Sequence, residues 1–145
     1  MFLQANPAQI VLLHIGTNDL RSGQDPGEIV TEVNQILDEI DQYSQDVTVI
    51  LARIINKVPA NTIYTHYNTQ LAAMAETRIA TGDKLLIIDM ESGADINYHL
   101  QGSGGDFVDA FHPNESGYTK MANVWYHHLT QLLDSPLAPN QPPYN

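Results

Sequence analysis

Short, continuous apolar runs alternate along this chain with longer stretches of helical periodicity. Three runs stand out: Ile10, Val11, Leu12, Leu13, His14 and Ile15 (residues 10–15), then residues 47–54, then residues 85–90. A strand with one face in water alternates apolar and polar positions. A continuous run fits a strand buried on both faces of a parallel sheet. Between the runs, Asp25 stands as a cap before Pro26, and Ile29, Val33, Ile36, Leu37 and Ile40 recur on one helical face. A second helix is predicted over residues 61–80, with Ile63, Tyr64, Tyr67, Leu71 and Met74 inward. A third begins after Pro113, with Asn114 as cap and Tyr118, Met121, Ala122, Trp125, Leu129 and Leu132 on its apolar side. Strands alternating with helices of this length predict parallel pairing through helical crossovers.

Two segments break the pattern. Residues 91–108 carry Gly93, Gly102, Gly104 and Gly105 and are long for a loop, which marks them for function. Residues 135–145 hold Pro136, Pro139, Pro142 and Pro143 and read as an extended tail, either a frayed end or a linker to another module. The domain is therefore placed at residues 1–134 and the tail at 135–145.

Composition narrows the partners. Seventeen acidic residues against six basic give a net charge of −11, which argues against nucleic acid and anionic membrane. That balance suits a neutral substrate and a soluble chain, with an extracellular setting for the parent protein compatible and the compartment left open. No apolar run nears the ~20 residues of a membrane span. There is no cysteine, hence no thiol nucleophile, disulfide or thiolate metal site.

Two motifs carry chemistry. Gly16-Thr17-Asn18-Asp19 follows the first strand at the edge where parallel sheets place ligands. The Asn18 amide could donate to an oxyanion there. Asp109 precedes His112 by three residues, close enough for a turn to bring a carboxylate to Nδ1 and orient the imidazole as a general base. Both motifs also suit ordinary turns with capping acids, and spacing alone leaves both readings open.

Taken together, the motifs resemble those of the SGNH (GDSL-type) hydrolases. His14-Ile15-Gly16-Thr17-Asn18-Asp19-Leu20 resembles their third block and Asp109-x-x-His112-Pro113 their fifth, the wording being most similar to acetylxylan-esterase-like members. The resemblance implies an α/β fold: a three-layer α/β/α sandwich with a flavodoxin-like parallel sheet, truncated to about three strands. It implies hydrolysis of small acyl (acetyl) esters, including those of polysaccharide, without a cofactor or metal. It assigns Asn18 as oxyanion donor, His112 as general base, Asp109 as its orienting acid, and Gly16 and Asp19 as supporting residues of the turn. The family's Gly-Asp-Ser block and its glycine oxyanion donor have no counterpart here and would lie upstream of Met1. Weak or absent activity is therefore expected, and the alternative is a non-catalytic oligomeric module that keeps the fold.

Several secondary expectations follow. Ser103, within Gly102-Ser103-Gly104-Gly105, is the weak candidate for a substitute nucleophile. Loss of the family's first two strands would expose the edge of residues 10–15, so a homo-oligomer formed through that edge is expected. Asp106, Asp109 and His112 form a spaced cluster that could bind a metal, though a triad pair plus surface residues is the simpler reading. Tyr64, Tyr67, Tyr118 and Tyr126 fit packing better than sugar stacking. His14 is expected to be a hydrogen-bonded core histidine.

Overall fold

The computed structural model describes residues 2–134; the proline-rich tail, with Ser135, lies outside the described residues. Three strands, β1 (Ile10–Leu13), β2 (Thr48–Arg53) and β3 (Leu85–Asp89), form one parallel sheet in the order β1-β2-β3. Ile10 lies opposite Thr48, and Val49 opposite Leu85. Six helices accompany them: α1 (Phe2–Ala5), α2 (Thr17–Ser22), α3 (Pro26–Tyr43), α4 (Thr62–Thr81), α5 (Met90–Gly93) and α6 (Glu115–Asp134).

Strand pleating divides the core in two. Leu13, Val49, Leu51 and Leu85 face α3 and α4 in one apolar cluster. Ile50, Ala52 and Ile88 face the opposite side with Met121 of α6 and Phe107. The result is the three-layer α/β/α arrangement with a sheet of three strands.

Each crossover helix starts where its cap dictates. The Asp25 carboxylate accepts from the N–H groups of Gly27 (2.8 Å) and Glu28 (3.4 Å), with Pro26 at the first position. Asn61 caps α4 by accepting from Ile63 N–H. The two helices are clamped by Arg78 of α4, which donates to Asn34, Asp38 and Asp41 of α3 and to Asp83 beyond its own C-terminus.

Several expected core positions are not in the core. Ile36 is 41% and Ile63 38% exposed, so the apolar stripes of α3 and α4 are narrower than their periodicity. On α6 only Gly117 and Met121 are buried, while Trp125, Leu129 and Leu132 are partly buried and Tyr118 and Ala122 exposed. The sheet beneath α6 has only three strands, too narrow to cover the whole helix face.

Gly16 is demanded twice. Its φ of +112° belongs to the left-handed region, and a Cβ there would lie 2.7 Å from the Tyr67 ring. Tyr67, fully buried, donates its hydroxyl to the Ile15 carbonyl at 2.9 Å, so it cannot move aside without losing that bond. Gly23 also has positive φ (+90°) but open space around it. Replacing Gly23 by Ala should cost about 1 kcal/mol of stability from backbone strain alone. Gly16→Ala should cost about 3 kcal/mol or more, because overpacking adds to strain; urea unfolding of the two variants beside wild type checks the difference.

Candidate active site

All three strands end at one edge of the sheet, and the loops leaving them build the site. The first is His14 to Thr17, turning through Gly16 into α2. Asn18 is the second residue of α2 and is exposed; Asp19 follows in the same first turn. Gly16 O accepts from Leu20 N–H at 3.1 Å, which starts the helix at once.

The second loop follows β2 and is tied off by side chains. Asn68 of α4, fully buried, brackets Ile54: its Oδ1 accepts the Ile54 N–H (2.8 Å) and its Nδ2 donates to the Ile54 carbonyl (2.7 Å). Asn56 Oδ1 accepts from the N–H groups of Lys57 and Asn61, each at 2.9 Å. Glu91 collects donors from Asn56 Nδ2 (3.0 Å), Thr65 Oγ1 (2.7 Å) and Asn68 Nδ2 (2.8 Å), with Arg53 Nη2 at 3.8 Å. This knot fixes the direction in which Lys57 leaves the sheet. Sequence reasoning missed it, because a polar residue within a helical pattern gives no sign of facing inward.

The third loop joins β3 to α6. Asp106 is buried, accepting from Asn97 N–H and from Lys120 Nζ, both at 2.7 Å. The Lys120 ammonium, foremost, holds the Asp106 carboxyl below its usual range. Asp106 is thus an anchor between loop and helix, turned to Lys120 rather than joined with Asp109 and His112. Asn114 accepts from Gly117 N–H (3.0 Å) at the start of α6 and donates to the Gly105 carbonyl. A Cβ on Gly117 would stand 2.7 Å from the Asp106 carbonyl oxygen and 2.8 Å from Pro113 Cβ, so the helix can approach the loop only without a side chain there.

Within this frame Asp109 and His112 meet. Asp109 Oδ1 accepts from the N–H groups of Phe111 (2.8 Å) and His112 (2.9 Å), and the carboxylate contacts His112 Nδ1 at 2.8–2.9 Å. These donors, the Phe111 amide first, hold the Asp109 carboxyl down at about 2. An ionised carboxylate only accepts, so Nδ1 carries the proton and Nε2 is left as the basic nitrogen. The loop is closed by Val108 N–H to the His112 carbonyl and tied to the second loop by Val58 N–H to the Ala110 carbonyl, both 2.9 Å.

Parts of the two motifs approach each other although Asp19 and Asp109 stand 90 positions apart. Thr17, next to Asn18, lines one pocket with Phe111 and Pro113, the neighbours of His112. His14, Asn56, Lys57 and Tyr118 line it as well. Ser103 is exposed in a one-turn 3-10 helix (Gln101–Ser103), and among the described residues no hydrogen bond joins any serine to His112.

Residues 1–120 match the model of the GDSL-like lipase/acylhydrolase family. The chain belongs to that family. A curated protein of Acetivibrio thermocellus, provisionally named endoglucanase X, is 24% identical over 97% of this chain. The chain spans only 58% of that protein's length. A carbohydrate esterase of family 3 from Talaromyces cellulolyticus has a similar structure (TM-score 0.78, 21% identity, 90% of this chain and 61% of that one). So do a family 3 carbohydrate esterase of Clostridium thermocellum (TM-score 0.71, 22% identity, 90% and 60%) and an acetyl esterase solved as a serine-to-alanine mutant with acetate ion (TM-score 0.77, 22%, 90% and 61%). At these identities the likeness shows a shared α/β fold alone. No described helix is long and apolar enough to cross a membrane.

His14 departs from expectation. It follows β1 instead of lying within it, and its buried Nε2 has no hydrogen-bond partner among the described residues. Burial pushes its pKa down to about 4. The folded value lies below the unfolded 6.5, so the neutral imidazole's contribution to stability is complete above pH 6.5 and is lost as pH falls toward 4. Relative to His14→Leu, wild type should lose about 3 kcal/mol of stability between pH 7 and pH 4. Urea unfolding of both proteins across that range measures the difference.

Proposed function

We propose that this chain carries the base and oxyanion half of an ester hydrolase acting on small acyl esters, acetyl esters of carbohydrate foremost. The observation that carries the reading is the Asp109–His112 pair, held by two backbone N–H groups so that Nε2 is the free basic nitrogen. His112 takes the proton of a nucleophilic hydroxyl as that oxygen attacks the ester carbonyl. The Asn18 amide donates to the oxyanion, and His112 returns the proton to the departing alkoxide. The family 3 carbohydrate esterases among the structural relatives support the substrate class. Ser103 is poorly placed to be the hydroxyl, so turnover by these 145 residues alone is expected to be slow. With p-nitrophenyl acetate, His112→Ala should lower whatever turnover wild type shows by about a hundredfold or more. Asn18→Ala should lower it by roughly a hundredfold. Equal hydrolysis by wild type and His112→Ala would remove the basis of this reading.

The second reading, a non-catalytic oligomeric module, draws on the sheet edge. Among the described residues β1 pairs with β2 only, and its Leu12 is 46% exposed. An uncharged apolar edge templates pairing with another strand, and we propose a second copy as that partner. Light scattering should then show a dimer in wild type and a monomer in Leu12→Lys; a wild-type monomer at micromolar concentration would refute the pairing.

A further inference from the structure

The chain is strongly acidic, yet its cations are not evenly neutralised. Of the six basic residues, Arg53, Arg78, Lys84 and Lys120 each pair with carboxylates. Among the described residues Arg21 and Lys57 have no such pair. Arg21 comes from α2 and Lys57 from the loop after β2, and they converge on one ring. The Arg21 guanidinium lies 4.7 Å and the Lys57 ammonium 5.2 Å from the centroid of Phe111. Phe111 immediately precedes His112, and both Lys57 and Phe111 line the pocket beside it.

Two positive charges that share one ring repel, and the chain has seventeen acidic residues that could have neutralised them. The ring offsets part of that repulsion by attracting each cation. It supplies no countercharge and leaves their N–H donors open to an anion. The backbone from which the Lys57 side chain starts is fixed, its N–H donating to Asn56 Oδ1 at 2.9 Å. Tyr118, 53% exposed on the same pocket wall, adds an aromatic surface suited to a sugar ring.

We infer that Arg21 and Lys57 form a carboxylate-recognition subsite beside His112, and that the ligand is an acidic carbohydrate, one carrying a uronate near its ester. The sugar part rests on the ester-hydrolase reading; the carboxylate part rests on the charge arrangement alone. The local cationic pair thus overrides the neutral substrate that net charge implies. It also steers an anionic ligand to two cations that, among the described residues, have no carboxylate pair.

The test is binding, followed by amide chemical shifts on the 145-residue chain, so that it does not depend on turnover. The probes are xylotriose bearing one glucuronic acid residue, neutral xylotetraose, and acetate. Wild type should bind the acidic oligosaccharide at least roughly tenfold tighter than the neutral one, with the preference shrinking between about 20 and about 300 mM salt. The Arg21→Gln/Lys57→Gln double variant should lose the preference, Lys84→Gln should keep it, and the charge-conserving Lys57→Arg should retain most of it. Equal binding of acidic and neutral oligosaccharides by wild type overturns the inference. Acetate binding as tightly as the acidic oligosaccharide overturns its sugar part. A preference that persists in His112→Ala while that variant and wild type turn over equally leaves the subsite standing and removes the esterase reading, so the two can fail separately.

Discussion

A parallel sheet delivers every strand's exit to the same edge, and the polar backbone groups released there must find partners away from water. This constraint shapes the molecule. Each of the three exits is tied by different polar side chains: the Tyr67 hydroxyl at the Gly16 turn after β1, the Asn56–Asn68–Glu91 knot after β2, and Asp106 with Lys120 after β3. An unmet group in such a position costs about 1–3 kcal/mol, which is comparable with a fair part of a domain's net stability. The groups with chemical potential sit on the segments so fixed, so rigidity at the site follows from satisfying the fold.

Asp109 shows the same economy on a smaller scale. Its carboxylate closes a turn by accepting two backbone N–H groups and meets the imidazole with the oxygens so held. Orientation of His112 therefore needs no residue from elsewhere in the chain. That explains why the pair was legible as a three-residue spacing, while the approach of the Thr17 turn to Phe111 and Pro113 depends on the sheet and was foreshadowed only by the placement of ligands at strand ends.

Strands and long helices were legible because continuous apolar runs and capping residues are local signals. Asp25, Asn61 and Asn114 cap where the pattern places helix starts. What the pattern missed depends on partners distant in sequence. Ile36, Ile63 and Tyr118 fall on apolar stripes yet face solvent, since the width of a stripe is set by what lies across from it. Asn68 looks like a surface residue and is fully buried, because its matching donor and acceptor belong to Ile54, fourteen positions away. His14 reads as a core residue, and its lack of a partner at Nε2 is a property of the folded surroundings alone. Arg21 and Lys57 are unremarkable in a chain of acidic excess until the fold brings them to one ring.

The last helix is attached unevenly. Its first two turns carry the Asn114 cap, the Gly117 contact with the Asp106 loop, the Lys120 ion pair and the buried Met121. Beyond Met121 no residue of the helix is fully buried, and Tyr126 and Leu133 are 70% and 50% exposed. Backbone amides of the first turns should open to solvent only with the whole domain, and those of the last turns through local fraying. The helix is thus a beam gripped hardest at its His112 end and only lightly seated along Trp125, Leu129 and Leu132, so the imidazole stands beside its stiffest part.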